Sequence, residues 1–462
     1  MVWWDERTTR GDWSKRTTQE EGGRRDTKTK WAVVDLDCAY TRRAVLHAFK
    51  QAKAAKAKGG SNSRNWDWDW EIEDVSPKEG QEEDDGSSGD KSGRREGTPD
   101  VYWGEYERID WDRVGAGEVA ANCYCIRKGL IRKAQLALGL SKWKTKYPSV
   151  EIASSVPETH VFELYDIEYF EEVLIADVPE LRDIKPGDVW ILKPNITNQA
   201  LGVRVFDDLD TLKSILASDE AWNLREWVVQ RYIARPLLVD RKKFHVRVYA
   251  LAVGAMKVYV YDDMLALFAA ETYDSSLRNL SNSKSHLTNT CRAGIAEAEP
   301  RGEPKVLETS VVRLLDELPA ISGGVATSEK VGAAKERIKL LVGQCFEAVS
   351  SELSFMPMPN CFELFGFDFL IDEEWQVWLL EANAEPDFVQ TGQRLQSVIT
   401  DMISGVYHEA IVPLLSGAGG VTGGGAGEEK EKEEAASCSE SKWCKVFEKH
   451  VSGSDSMNFQ IV

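Results

Sequence analysis

Two stretches decide how this chain is read: Cys361-Phe-Glu-Leu-Phe-Gly-Phe-Asp368-Phe-Leu-Ile-Asp372 and Trp378-Leu-Leu-Glu381-Ala-Asn383. Both are rich in aromatic and β-branched residues and read as buried strands. A buried strand does not readily carry an isolated carboxylate, because desolvating the charge is costly. Asp368 interrupts one apolar run, and Glu381 ends the other. Asn383, two residues on, shares the strand face of Glu381. Three oxygen-bearing side chains on neighbouring strands suit Mg²⁺ held together with nucleotide phosphates. The plainer alternative is a pair of capped strand ends whose acids are satisfied by hydrogen bonds.

The 462 residues are enough for two to four domains, and 42% of them are hydrophobic, including 16 Trp, so a large core is expected. No apolar run stands out as a membrane span, and Met1–Arg7 lacks a signal-peptide core. The eight cysteines contain no C-x-x-C pair, which argues against a zinc site or disulfide framework and points to a reducing, cytoplasmic setting. A net charge of −19 disfavours nucleic acid or a membrane surface as a partner of the whole molecule. The charge is uneven. Residues 71–100 hold eleven acids and four bases, whereas Ala121–Tyr147 contains Arg127, Lys128, Arg132, Lys133, Lys142, Lys144 and Lys146 and no acid.

Along the chain, polar residues 1–30 read as disordered, and residues 31–185 as an N-terminal lobe and the start of a central one. The strand at Trp31 and a helix from Thr41 to Ala55 precede an acidic insertion over 57–98. The Trp66-Asp-Trp-Asp-Trp70 run inside it reads as a staple docking that insertion onto the domain. A basic helix is expected near 126–140. Residues 186–412 read as strand-rich catalytic lobes, with strands at 189–193, 202–206, 227–233, 244–253 and 257–261, a loop at 293–330, and helices at Val331–Leu353 and Thr391–Leu415. Residues 413–437 read as a flexible segment and 438–462 as a tail.

Lys193 closes the strand Trp190-Ile-Leu-Lys193 and precedes a small polar loop ending at Gly202, an arrangement suited to a lysine reaching phosphate oxygens beneath a flap. It is not a G-x-x-x-x-G-K-[ST] phosphate loop. The further order is Val229-Gln-Arg-Tyr-Ile233, Lys243-Phe-His-Val-Arg247, His286-Leu-Thr-Asn289, Phe365-Gly-Phe-Asp368 and Leu380-Glu-Ala-Asn383. Together these motifs resemble the tubulin–tyrosine ligase family of the ATP-grasp superfamily over roughly residues 120–410. The segment Cys125–Lys133 is most similar to fungal members, which implies a link to cytoplasmic ribonucleoprotein bodies.

The resemblance implies an α+β ATP-grasp fold with N-terminal, central and C-terminal lobes and disordered insertions. It implies an ATP-dependent ligase that phosphorylates a carboxylate and lets an amine displace the phosphate. Its substrates would be a protein with an acidic C-terminal tail, tubulin above all, and a free amino acid. Lys193 and Lys133 would meet the nucleotide, Gln230, Arg231, Tyr232 and Ile233 would flank adenine, partly through main-chain groups, and Thr288 and Asn289 would lie near the ribose or acceptor. Lys243 and Arg247 would face the transferring phosphoryl group as catalytic residues. Asp368, Glu381 and Asn383 would hold Mg²⁺, with Glu381 counted as catalytic too. The basic segment 121–147 would steer an acidic tail. Two positions depart from the family: His245 stands in place of an Asp and Leu267 in place of an Arg. Losing that Arg removes roughly 2–4 kcal/mol of transition-state stabilisation. The departures keep open a second reading, a nucleotide-binding scaffold without catalysis, and a third, an ATP-grasp enzyme acting on a small molecule.

Overall fold

A computed structural model describes residues 29–57, 68–75, 97–185, 187–196, 201–218, 224–288, 312–416, 441–449 and 459–460. Three sheets organise them. The first is parallel, in the order β2-β1-β3-β4, from β1 (Thr29–Asp35), β2 (Asp69–Asp74), β3 (Val101–Gly104) and β4 (Ala120–Ala121). β2 lies inside the segment read as an acidic insertion. Asp69 and Glu71 are exposed on this edge strand, while Trp70 is fully buried, edge-on to Phe49 at 5.0 Å with its indole N–H donated to the Tyr407 hydroxyl at 2.8 Å.

The second sheet is antiparallel, in the order β5-β8-β6-β7, from β5 (Thr159–Glu163), β6 (Trp190–Pro194), β7 (Arg204–Phe206) and β8 (Glu226–Arg231). It has its own core around Phe162, Phe170, Trp190, Phe206 and Trp227. The boundary expected at 185/186 runs through this lobe. The basic helix is two helices, Lys128–Ile131 and Lys133–Lys146, because Arg132 between them is extended.

The third sheet is built on β10 (Lys242–Val253), with the short β9 (Leu238–Val239) before it. β10 pairs on one side with β11 (Lys257–Tyr261) and β12 (Leu265–Phe268), the latter followed by β13 (Val312–Leu314). Its other side pairs with β14 (Phe362–Ile371), which pairs with β15 (Val377–Ala384). Beyond β11 lie β16 (Trp443–Lys449) and β17 (Phe459–Gln460), so part of the expected tail is sheet. Part of the expected loop 293–330 is likewise ordered, as β13 and the helix Leu318–Ile321. Residues 293–311 of it, with residues 1–28 and the Gly-rich 417–440, lie outside the described residues.

Period-2 alternation divides β10 between two environments. Val246, Val248, Ala250 and Ala252 face the main core, where the helix Ser328–Val349 packs Phe346 against Phe365 and Phe367, both at 5.7 Å. Tyr249, Leu251 and Val253 face a second core, shared with Ile399, Met402, Ile403 and Val406. Those four belong to the helical run Gln396–Leu415, which is long and apolar enough by length and composition to cross a membrane, against the sequence expectation. All four are fully buried, and their helix packs on Ala39–Ala57. The six described cysteines are free thiols.

Candidate functional site

Strand register assembles the site. Arg247 of β10 lies opposite Asp368 of β14, which lies opposite Glu381 of β15, while Gly366 faces Asn383. One irregularity makes this row work. Residues two apart share a face of a regular strand, so Leu379 and Glu381 should point the same way. The register shifts beside Asp368, leaving Leu380 as an extra residue. That bulge turns Leu379 into the main core and Glu381 into the cleft beside Asp368. A Cβ at Gly366 would lie 3.0 Å from Pro386 Cβ and 3.4 Å from Arg247 Cδ, so glycine leaves room for the arginine.

Arg247 grips Asp368 with two bonds, Nε to Oδ1 at 2.5 Å and Nη2 to Oδ2 at 3.1 Å. Asn383 Nδ2 donates to Glu381 Oε1 at 3.2 Å and to Asp368 Oδ2 at 3.5 Å, tying the three oxygen-bearing side chains together. Lys133 Nζ stands 3.7 Å from Glu381 Oε2. Lys193 Nζ donates to Gln230 Oε1 at 2.8 Å, and Lys243 Nζ to the Tyr232 hydroxyl at 3.0 Å. His245 hydrogen-bonds Thr288 through Nδ1, and its Nε2 lies 3.5 Å from Asp368 Oδ1.

The electrostatics are unbalanced. Lys193, Lys243 and Arg247 are each about 7% exposed, and Lys133 is nearby. Against these four cations the cluster holds two carboxylates, Asp368 and Glu381. Burial lowers the Lys193 ammonium to about 8; burial and then the neighbouring Lys193 lower Lys243 to about 7. Burial opposes ionisation of Glu381, but Lys133 and Lys193 outweigh it and hold the carboxyl well below its ordinary range. Burial keeps the His245 imidazole neutral at pH 7. An adjoining cavity has an apolar wall of Leu136, Leu140, Val156, Val228 and Leu379, and Lys133, Lys193, Gln230 and Glu381 also line it. Its lining sets this apolar wall beside the ammonium groups of Lys133 and Lys193.

The structure brings Lys133, Lys193, Gln230, Tyr232, Lys243, Arg247, Asp368, Glu381 and Asn383 together, with Thr288 joined through His245. Arg231 is not among them. Its guanidinium lies over Trp190 at 4.4 Å and pairs with Asp188 at 2.8 Å and Glu158 at 3.4 Å, because alternation along β8 turns it away from Gln230. The amides of Arg231 and Tyr232 are donated to the carbonyls of Glu158 and Val189. Ile233 is half-buried just beyond β8, and Asn289 lies outside the described residues. Sequence reasoning passed over Asn195. Its Oδ1 accepts from Ala134 N–H at 2.8 Å, anchoring the helix that carries Lys133 to the strand that carries Lys193. The signal was its place two residues after Lys193.

The profile of the Tubulin-tyrosine ligase family matches residues 138–417. The chain is 34% identical over 352 residues to a "Probable tubulin–tyrosine ligase" of Schizosaccharomyces pombe, a match spanning 68% of this chain and 83% of that protein. It is 30% identical to the "Probable tubulin–tyrosine ligase PBY1" of Saccharomyces cerevisiae, over 68% of this chain and 46% of the yeast protein. A "Probable alpha-tubulin polyglutamylase Ttll1" of Tetrahymena thermophila is 30% identical over 49% of this chain and 55% of its own length. Among solved structures, the C-terminal domain of K. lactis Pby1, described as an ATP-grasp enzyme interacting with the mRNA decapping enzyme Dcp2, superposes with a TM-score of 0.61 at 24% identity. That likeness covers 92% of this chain and all of the other. With the family profile spanning more than half its length and an ATP-grasp arrangement of sheets beneath it, the chain belongs to the tubulin–tyrosine ligase family.

Proposed function

We propose that this protein is an ATP-dependent carboxylate–amine ligase that joins an amino acid to a carboxylate of a protein substrate. The observation that carries the reading is a surplus of basic groups: buried Lys193, Lys243 and Arg247 with part-buried Lys133 around two carboxylates, beside an apolar-walled cavity. Leaving ammonium groups desolvated with only neutral hydrogen-bond partners is costly, and a polyphosphate supplies the missing anion. Lys133 and Lys193 would hold the nucleotide phosphates, and Lys243 and Arg247 the transferring group. Asp368, Glu381 and Asn383 fit a Mg²⁺ ion, being two carboxylates and an amide that can turn its oxygen inward. The ion would supply charge neutralisation at the phosphoryl group. In the first step a substrate carboxylate oxygen attacks the γ-phosphorus and the bond to ADP breaks. In the second an amine attacks the acyl carbon, phosphate leaves with the bond electrons and the amine loses a proton. The chain's own contribution is positioning and fixed positive charge.

A tubulin-type acidic tail is the protein substrate that the relatives and the basic segment 121–147 favour; Lys128 and Lys142 of that segment are exposed. The Dcp2 partnership of the K. lactis domain supports association with a cytoplasmic ribonucleoprotein body. One feature favours the scaffold alternative. Neutral His245 lies directly opposite buried Leu267 in the β10–β12 pair, which leaves the acceptor side short of charge. Under that reading Mg-ATP binds and no ADP forms.

Proton uptake tests the nucleotide cleft directly. An anion beside Lys193 and Lys243 favours their charged forms and raises both from about 8 and about 7. Binding of Mg-ATP at pH 8 should therefore take up roughly one proton per protein. Titration calorimetry in two buffers of different ionisation enthalpy measures it. Proton release, or no exchange, would remove these lysines from the phosphate site.

A further inference from the structure

A chain of hydrogen bonds behind Lys243 has a fixed direction. His286 is buried, and its Nε2 lies 3.1 Å from the Asn279 carbonyl oxygen, which can only accept. Nε2 therefore carries the proton. Burial, and then the charge of Lys243, lower the His286 pKa, so the ring is neutral and Nδ1 is a bare acceptor. Nδ1 sits 2.9 Å from the Tyr232 hydroxyl, which must donate to it. The Tyr232 oxygen is then turned to accept from Lys243 Nζ at 3.0 Å. The ammonium also stands over the Tyr232 ring, 4.3 Å from its centroid. Asn279, Tyr232 and Lys243 are thus read off one tautomer.

We infer that His286 is a positioning residue for Lys243, acting through the Tyr232 hydroxyl to hold the ammonium where the phosphoryl group is met. The inference rests on the assignment of Lys243 to phosphate made above. A freely rotating hydroxyl could point its proton at the ammonium and repel it; His286 Nδ1 removes that choice. Lysine has four rotatable side-chain bonds, so fixing its head lowers the entropy lost when phosphate binds. The same bonds couple the site to a neighbouring segment. Asn279 belongs to the stretch 270–288, which is also tied to the Arg241 carbonyl by the Tyr273 amide at 2.8 Å. The ring of Tyr273 packs edge-on to His286 at 5.5 Å. Disturbing this stretch therefore loosens Lys243 without touching it.

The test is a mutant cycle on the full chain, read as affinity for Mg-ATP, with thermal midpoints recorded alongside. Lys243→Met should weaken binding by about tenfold or more. His286→Leu and Tyr232→Phe should each weaken it about three- to tenfold. His286→Asn, whose amide oxygen can accept near the Nδ1 position, should restore most of the loss. On the Lys243→Met background, His286→Leu and Tyr232→Phe should have no further effect, because nothing remains to be positioned. A His286→Leu loss that persists on that background, or an Asn variant no better than Leu, overturns the positioning role. Unchanged affinity in Lys243→Met instead overturns the assignment of Lys243 to phosphate, and the inference with it. If His286→Leu fails to fold, Tyr232→Phe carries the same cycle.

Discussion

Glu381→Gln should lower ADP formation from Mg-ATP by about a thousandfold or more, which corresponds to roughly 4 kcal/mol of transition-state stabilisation. Glu381 serves two neighbours at once. Its carboxylate is an oxygen donor beside Asp368 and Asn383, and it stands 3.7 Å from Lys133. Glutamine keeps the shape and one oxygen, but it removes the charge that a divalent cation needs. It also leaves Lys133, Lys193 and Lys243 with less compensation, so binding of metal-free tripolyphosphate should be retained or strengthened. The two readouts separate a lost metal ligand from a damaged cleft.

Stability follows the same carboxyl. Its folded pKa lies below its ordinary 4.5, so its stabilising contribution is present above that pH and is lost as pH falls toward the folded value. In Glu381→Gln this part of the acid dependence should disappear. Asp368→Asn should match the loss of turnover, and it also breaks the two-bond grip of Arg247. Turnover within about tenfold of wild type in both variants would take Asp368 and Glu381 out of the metal role.

Asp368 and Glu381 were legible in the sequence because a charge inside an apolar strand is anomalous on elementary grounds. Lys193 was legible because it sits at a strand end before a polar loop. The bulge at Leu380 was not, because it depends on how β14 and β15 register, and spacing alone assigns Leu379 and Glu381 to one face. β2 was hidden because an edge strand buries only one side, so its acids read as insertion. β16 was hidden because it follows a Gly- and Glu-rich run and gains its partner, β11, from almost 190 residues earlier. The direction of the Arg231 side chain was not legible, because a motif carries neighbours together whereas alternation along β8 turns its guanidinium to Trp190 and away from Gln230. The fold class was therefore readable from local pattern and order. The partners of charged side chains depended on register, and that is a long-range property.

Arg127 and Glu363 show the same limit at its most consequential. Glu363 stands in the stretch that decided the reading, yet it drew no notice, and Arg127 was counted only as part of a basic segment. They form a buried ion pair between residues 236 apart. Glu363 is 2% exposed, and its other oxygen accepts the Tyr124 amide at 2.9 Å. Arg127 also reaches Glu385, just after β15, at 2.9 Å and lies over the Tyr106 ring at 4.3 Å. One guanidinium thus joins the chain between the first sheet and the basic helices to β14 and to the loop beyond the metal-binding candidates.

Arg127→Leu should therefore destabilise the protein by about 3–5 kcal/mol, the cost of leaving a buried carboxylate without its partner. The loss should depend on pH with a definite sign. Burial pushes the Glu363 carboxyl up to about 7 even with Arg127 opposing it, and without Arg127 it rises further. The folded variant then binds more protons than the unfolded chain from about pH 4.5 upward, so its stability falls as pH rises. Wild type shows the same slope only up to about 7, where its own carboxyl titrates. The difference between them should therefore stay level from about pH 5 to about 7 and grow above 7 by up to about 1.4 kcal/mol per pH unit, as denaturant titrations from about pH 5 to 9 would show. Arg127→Leu with Glu363→Leu should regain most of the loss, because replacing both members of a buried pair leaves no charge stranded. A single-variant loss below about 1 kcal/mol, or one that does not change with pH, would mean that water reaches Glu363 and that the pair does not hold the lobes together.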